Sequence, residues 1–163
     1  MEKIDLLLAK MEIHEFTHRY ASLVDTGNFD GLGEIFRHGR IRTRDERGVE
    51  RQWVGRDEIR KVFAGTVRTW DGIPRTKHLV TNLSVTVDAG GRKAASRSYY
   101  TVLHQPPDGI AHIVIAGRYE DEFELIDGSW QLTDRFVHSD LFGDLTSHMK
   151  QTSQITTRLE DAK

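Results

Sequence analysis

Apolar residues recur at helical spacing in the N-terminal part of the chain. In the first such segment, residues 4–24, the apolar positions form one stripe and then a second on another side: Ile4, Leu7, Leu8 and Met11, followed by Ile13, Phe16, Tyr20, Leu23 and Val24. The pattern predicts one long helix whose two halves pack against different neighbours. Gly27 ends it, and Asn28 caps a short second helix with inward residues Phe29, Leu32, Ile35 and Phe36.

The next part of the chain alternates weakly before helical spacing returns. Arg40–Arg44 and Glu50–Val54 lie on either side of a turn at Gly48, and we predict two short edge strands there. Apolar residues at helical spacing over residues 57–70, with acidic residues in the first turn, predict a third helix that ends before Pro74.

The C-terminal half consists of alternating stretches separated by turn residues. Residues 79–87, 92–104, 110–126 and 130–142 predict four consecutive strands, because Asp, Gly and Pro cluster between them. Gly117, in the middle of the long third stretch, predicts a bend. Three helices followed by an antiparallel meander indicate the α+β class: a cone in which the helices pack on a curved sheet that encloses a pocket.

The first stretch of this meander carries the candidate chemistry. A two-residue period places His78, Val80, Asn82, Ser84 and Thr86 on one face, and Leu79, Thr81, Leu83, Val85 and Val87 on the other. The unperturbed pKa of histidine lies near physiological pH, so His78 is either an ordinary hydrogen-bonded residue or a proton carrier. A catalytic role requires a partner for its ring.

Composition limits the classes of function. The 163 residues suit one domain, which we place at residues 1–143, with a polar tail at 144–163 that is peripheral or reaches a neighbouring subunit. A net charge of -2 does not favour nucleic acid, and the absence of cysteine leaves no disulfide or thiolate site. The charged N-terminus predicts neither a signal peptide nor a membrane span. We expect a cytoplasmic protein with a small-molecule substrate and no nucleic-acid or membrane partner.

One motif points to a different class. His14, Glu15 and His18 form H-E-x-x-H on the first helix, the spacing of zinc peptidases. These histidines face away from the apolar stripe, and no third ligand follows in a second long helix, so we expect no metal and no other cofactor. The remaining histidines show no ligand spacing: His38, His104, His112, His138 and His148.

Four motifs occur in an order that resembles a known family. They are RYASLVDTGNFD at residues 19–30, TKHLVTN at 76–82, AGRYED at 116–121 and DGSW at 127–130. Together they resemble the SnoaL-like family of the nuclear transport factor 2-like superfamily, over residues 4–143. That family includes polyketide cyclases, dehydratases, a dehydrochlorinase and the non-catalytic small subunits of ring-hydroxylating dioxygenases. The resemblance therefore implies the cone fold but no single reaction.

The resemblance also implies roles for individual residues. In the dehydratase and dehydrochlorinase branches, residues matching Asp25 and His78 form a dyad in which the carboxylate orients the imidazole that removes a proton. A residue matching Tyr20 lines the pocket, and one matching Arg135 faces the developing anion. The residues alone leave alternatives: Asp25 as a turn residue, Tyr20 as a core aromatic and Arg135 in a surface ion pair.

These observations favour a cofactor-independent lyase or isomerase, of the dehydratase, elimination or cyclase type, acting on a small apolar oxygenated molecule. Asn82, Val80 and Trp70 are expected to contact that substrate. The alternatives are a zinc hydrolase and a non-catalytic ligand-binding or small-subunit module related to ring-hydroxylating dioxygenase β subunits. A homodimer or homotrimer is expected through an exposed sheet face formed by Leu79, Leu83, Val85, Ile113, Ile115, Phe123 and Leu125.

Overall fold

A computed structural model describes residues 2–45 and 48–150. Its helices are α1 (Lys3–Asp25), α2 (Phe29–Ile35) and α3 (Gly55–Thr66), and its strands are β1 (Arg40–Arg44), β2 (Glu50–Val54), β3 (Thr76–Val87), β4 (Lys93–His104), β5 (His112–Ile126) and β6 (Ser129–Phe142). Every predicted element is present, which confirms the α+β class. The third helix is shorter than predicted, because it ends at Thr66 and Trp70 lies in the following loop.

The strands form one sheet with the order β2-β1-β6-β5-β4-β3. Strands β3 to β6 are the predicted antiparallel meander. Strand β1 pairs antiparallel with β2, across the predicted turn at Gly48. It also pairs parallel with β6, so β1 is an internal strand and only β2 is an edge strand; the prediction of an edge position for β1 is wrong. α1 packs along β3, the edge strand next to β4, so the inner face of the sheet at this edge is covered by the helix.

A bulge in β3 changes the face predicted for half of that strand. His78 pairs with Val102 and Val85 with Ser96, and both partners lie on the inward face of β4. The register shifts between Thr81 and Ser84, where Asn82 has a φ of 54°. The prediction of unbroken alternation is therefore wrong: the extra residue puts His78 and Val85 on the same side of the sheet.

The two halves of α1 have different surroundings, as the change of stripe predicted. Residues of the second half enter the core against the sheet: Ile13, Phe16, Tyr20 and Val24. Residues of the first half are 51–57% exposed: Ile4, Leu7, Leu8 and Met11. The C-terminal half of α1 therefore supplies the contribution of this helix to the core, and it ends beside the candidate site.

The expected exposed sheet face is not a single surface. Val85 and Phe123 are buried in the core, whereas Leu79 and Ile113 are half exposed on the other side of the sheet. The bulges in β3 and β5 separate residues that a uniform two-residue period had grouped together. That part of the prediction is wrong.

The chain after β6 folds back toward the end of α3. Gly143 donates its N–H to the Val114 carbonyl, and Lys150 donates its N–H to the Thr66 carbonyl. Leu145 and His148 are buried. Residues 144–150 are therefore not the peripheral tail that we expected, and residues 151–163 lie outside the described part of the chain. None of the described helices is long and apolar enough to cross a membrane.

Candidate functional site

Asp25 and His78 are in direct contact at the junction of α1 and β3. The distance between His78 Nδ1 and Asp25 Oδ1 is 2.6 Å, and the His78 backbone N–H donates to Oδ2 at 2.9 Å. The Thr76 hydroxyl donates to Oδ1 at 2.7 Å. Three hydrogen bonds therefore hold a carboxylate whose side chain is 11% exposed, beside a ring that is 8% exposed.

The local sequence explains how the two residues meet. Asp25 is the last residue of α1, and Gly27 follows with a φ of 70° that lets the chain reverse. Thr76 and His78 alternate onto the inward face at the start of β3, so both side chains and the backbone N–H of His78 reach the same carboxylate. The end of a helix and the start of a strand, 53 residues apart, thus form one site.

The hydrogen bonds determine the protonation of the pair. Burial by itself raises the pKa of Asp25, but the bonds from His78 and Thr76 outweigh it, and the pKa of Asp25 lies below its ordinary value. An ionised carboxylate accepts, so His78 carries its proton on Nδ1 and donates it to Asp25. No residue in the described part of the chain bonds to Nε2. The contact with Asp25 therefore fixes the orientation of the imidazole.

Tyr20 lies one turn before the dyad on α1, and its ring centroid is 6.5 Å from that of His78 in an edge-on arrangement. Its side chain packs among Phe36 and Tyr119 and is 4% exposed. Burial raises the pKa of Tyr20, an effect that the positive charge of Arg135 only partly offsets. The phenol is therefore protonated at neutral pH and can donate a hydrogen bond. Tyr20 is both a core aromatic and a neighbour of the dyad.

Arg135 is fully buried, so the alternative of a surface ion pair is wrong. Its Nε and Nη2 donate to the two carboxylate oxygens of Asp121 at 2.8 and 2.7 Å. The guanidinium lies 4.1 Å from the ring centre of Tyr20 and 4.2 Å from that of Tyr119. Nη1 has no hydrogen-bond partner among the described residues. Arg135 can thus act on a ligand through Nη1, or through the ring of Tyr20.

The residues predicted to contact substrate occupy different places. Val80 is on the inward face of β3, opposite Tyr100 and two residues from His78. Trp70 stacks on His104, with ring centroids 5.4 Å apart. Asn82 is exposed at the bulge. Val80 and Trp70 therefore lie beside inward residues near the dyad, and the role of Asn82 remains a prediction.

A groove of about 570 Å³ reaches the dyad between α1 and β3. It is lined by His18, Ala21, Ser22, Asp25, Thr26, Lys77, His78, Leu79, Val80 and Thr81. A second hollow, of about 450 Å³, lies on the sheet far from the dyad and contains the ion-paired Arg42 and Asp134. The first groove is the one that offers both space and an oriented base.

His14, Glu15 and His18 are exposed on α1. No group of three or more His, Asp or Glu side chains placed to hold a metal ion occurs within residues 2–45 and 48–150. Only His18 of the three lines the dyad groove. In the structure the motif is a set of exposed polar side chains.

The sequence patterns missed two inward residues near the dyad. Thr76 could have been found, because it stands two residues before His78 at the start of a strand, and this spacing puts both side chains on one face. His148 lies in a polar stretch without periodicity and carries no such signal.

Comparison with known proteins agrees with the fold described above. The family model of the SnoaL-like domain matches residues 5–136. No curated protein matches the chain. Among solved structures, Rv3472 from Mycobacterium tuberculosis, a protein of unknown function, is similar with 26% identity and a TM-score of 0.68, over 86% of this chain and 77% of that one.

Two further structures show the same fold at lower identity. LinA is 19% identical with a TM-score of 0.68, over 90% of this chain and 95% of its own. A protein from Novosphingobium aromaticivorans, provisionally named a scytalone dehydratase, is 17% identical with a TM-score of 0.70, over 93% of this chain and 99% of its own. At these identities the similarity shows the fold alone.

Proposed function

Because the chain belongs to the SnoaL-like domain family, we propose that it is a cofactor-independent lyase or isomerase in which His78 is the base and Asp25 its orienting carboxylate. The observation that supports this most is the 2.6 Å contact of Asp25 Oδ1 with His78 Nδ1, next to a groove of about 570 Å³. The provisional name of the scytalone dehydratase relative is compatible with elimination chemistry on this fold.

In the proposed reaction, His78 Nε2 takes a proton from a carbon of the substrate. The C–H electron pair moves toward the neighbouring carbon, where it either expels a leaving group with its electrons or shifts onto a carbonyl oxygen. His78 becomes an imidazolium, and the ionised Asp25 stabilises that charge through Nδ1–H. Return of the proton to the product or to water restores the base.

Tyr20 and Arg135 are proposed to stabilise charge on the oxygen or on the leaving group. Tyr20 remains protonated because burial raises its pKa, so it can donate to a developing oxyanion. Arg135 lies over the Tyr20 ring, and its fixed positive charge favours negative charge nearby. Asp121 neutralises part of that charge, so we assign Arg135 mainly to positioning Tyr20.

The substrate class follows from the surroundings of the dyad. Val80 lines the groove, Tyr20 lies edge-on to the ring of His78, and Trp70 stacks on His104, so apolar and aromatic surface adjoins the polar groups of the dyad. We propose a small, largely apolar molecule carrying a carbonyl or hydroxyl group beside the acidic C–H bond.

Hydrogen exchange tests the base without knowledge of the natural substrate. The protein is incubated in D₂O with a panel of cyclic ketones that includes 2-tetralone, and deuterium uptake at carbon is followed by mass spectrometry. Enzyme-dependent uptake is expected to fall on the order of 10²- to 10⁴-fold in both His78→Gln and Asp25→Asn, because general-base catalysis contributes about that much.

His138→Gln is the matched control, because His138 pairs with Glu120 on the outer side of the sheet, away from the dyad. It should exchange deuterium at the wild-type rate. If His78→Gln is folded by circular dichroism and its deuterium uptake is unchanged, the proposed role of the dyad is refuted.

A second candidate function is a non-catalytic subunit or ligand-binding module. Apolar side chains on the outer side of the sheet are exposed at one end: Leu79, Tyr99, Ile113 and Leu141. A fold neighbour from Novosphingobium aromaticivorans is named the β subunit of an aromatic-ring-hydroxylating dioxygenase, provisionally, at 17% identity and a TM-score of 0.69, over 85% of this chain and 93% of its own. We propose that this surface mediates a homodimer or homotrimer.

Equilibrium sedimentation tests the oligomer, with Leu141→Glu as the disrupting variant and Ile4→Glu as its control on the exposed N-terminal stripe of α1. Wild type and Ile4→Glu should sediment as the same oligomer, and Leu141→Glu should dissociate. A monomeric wild type that co-purifies with a larger iron-containing subunit supports the module instead.

A further inference from the structure

His148 is a buried histidine in the segment that follows β6. Its backbone N–H donates to the Leu145 carbonyl, and its own carbonyl accepts from the Arg68 backbone N–H, each at 3.0 Å. The residue is 8% exposed. Main-chain bonds on both sides therefore fix its position against the inner side of the sheet.

The ring of His148 lies at the end of a row of polar side chains that begins at Asp25 and continues through Thr76 and His104. Its centroid is 5.4 Å from that of His104, on which Trp70 stacks. His104 is the cross-strand partner of Thr76, whose hydroxyl donates to Asp25. Directly paired side chains on one face of a sheet are about 5 Å apart at Cβ. Asp25, Thr76, His104 and His148 are thus successive neighbours.

Three buried ring nitrogens of this row have no hydrogen-bond partner within residues 2–45 and 48–150. They are His148 Nδ1 and both ring nitrogens of His104. The carbonyls of Pro74 and Arg75 lie near His104, but neither reaches hydrogen-bond geometry with it. Buried polar atoms are nearly always paired, so orphaned nitrogens beside a candidate site indicate a ligand contact.

We propose that His148 is a further substrate-binding residue, whose imidazole hydrogen-bonds an uncharged oxygen, a hydroxyl or a carbonyl, of the molecule that His78 deprotonates. This inference rests on the proposed function, since it extends the site of the dyad. His78 lies two residues from Thr76 on the same face, about 7 Å along the strand. His148 does not line the groove at the dyad, but its ring interacts electrostatically with His78 and Asp25, so the proposed substrate extends from that groove past Thr76 toward His148.

The surroundings of His148 favour an uncharged partner. The titratable groups near its ring are His104 on β4, His78 on β3 and Asp25 at the end of α1. Burial and the two histidines disfavour the imidazolium and lower the pKa of His148 to about 4. A neutral imidazole offers one donor and one acceptor, which match a hydroxyl or a carbonyl. A carboxylate would lose its hydration here without gaining a cation.

Two probes of similar size, 2-naphthol and 2-methylnaphthalene, measure this hydrogen bond by equilibrium dialysis. The ratio of their dissociation constants is compared between wild type and His148→Phe. We expect the relative preference for 2-naphthol to fall about tenfold in His148→Phe, the effect of one hydrogen bond, with 2-methylnaphthalene still bound. His148→Gln, which keeps a donor and an acceptor, should recover most of the preference.

His112→Phe is the matched control, because His112 also packs on His104 but its ring nitrogens contact the carbonyls of Ile110 and Asp144. It should retain the wild-type ratio. An unchanged ratio of dissociation constants in His148→Phe would overturn the inference. So would the failure of wild type to bind either probe. Stoichiometric zinc that binds to wild type and is absent from His148→Phe would also overturn it. If the preference for 2-naphthol is lost in His78→Phe but kept in His148→Phe, His148 is not the substrate-binding residue, and the proposed dyad is not contradicted.

Discussion

Replacing His148 by glutamine should make the protein more resistant to mild acid. Burial is the main cause that lowers the pKa of His148 to about 4 from the ordinary 6.5, and the charges of His104 and His78 add to it. In the unfolded chain the ring is free to bind a proton at the ordinary value. Between these two pH values the unfolded state therefore binds more protons than the folded state.

The sign and size of the effect follow from this difference. The contribution of His148 to stability is greatest above pH 6.5 and falls as the pH is lowered toward about 4, because the pKa of this ring is depressed in the folded state. The difference between 6.5 and about 4, at 1.36 kcal/mol for each pH unit, corresponds to roughly 3 kcal/mol of unfolding free energy. A glutamine cannot titrate, so His148→Gln should lose this part of the acid sensitivity.

Two other groups near the ring contribute in ways that can be separated. The pKa of His104 is also lowered, chiefly by burial, so it destabilises in the same direction, and the variant retains that effect. The pKa of Asp25 is lowered from 3.8, so its stabilisation is lost only at still more acidic pH. The difference between wild type and variant within the window from 6.5 to about 4 therefore reports the titration of His148 together with its coupling to His104 and His78.

The assay is urea denaturation followed by circular dichroism at several pH values within that window. The exposed His14 on α1 provides the control variant His14→Gln, which should follow the wild-type curve. If wild type and His148→Gln lose unfolding free energy in parallel as the pH falls, the ring is not held neutral by burial, and the reasoning is refuted.

Three further substitutions test other parts of the fold by the same denaturation assay. Thr76→Val removes one hydrogen bond from Asp25 and should cost about 1–3 kcal/mol at neutral pH; an equal loss in Thr76→Ser would contradict this. Asp121→Asn leaves the charge of the fully buried Arg135 uncompensated and should cost about 3–5 kcal/mol, part of which Arg135→Met in the same chain should restore. Gly117→Ala places a methyl group 1.9 Å from a backbone oxygen of β6, so a loss of at least about 1–3 kcal/mol is expected, and wild-type stability would mean that this bend is not tightly packed.

Much of the site was accessible from sequence because its signals are local. His78 follows a turn at the start of a strand, and Asp25 ends a long helix, so both positions can be assigned from periodicity and turn residues. Their pairing was only implied by the family resemblance. The contact joins residues 53 apart in the chain and requires α1 to pack along β3.

Other features have no local signal. A bulge at Asn82 reverses the face of the second half of β3, and its position depends on pairing with β4. Arg135 reads as an ordinary charged strand residue, and only the packed sheet shows it buried against Asp121 and Tyr119. His148 belongs to a stretch without periodicity, so its burial depends on where the chain runs after β6.

The sequence by itself determined the order of helices and strands, the α+β class and the candidate base, since these follow from the spacing of apolar residues and from turn chemistry. Tertiary structure alone decided which side chains meet. Residues distant in sequence are brought together by strand register and by helix packing on the sheet, and neither is encoded in a local window. The dyad, the buried Arg135 and the contact of His148 with His104 all result from that packing.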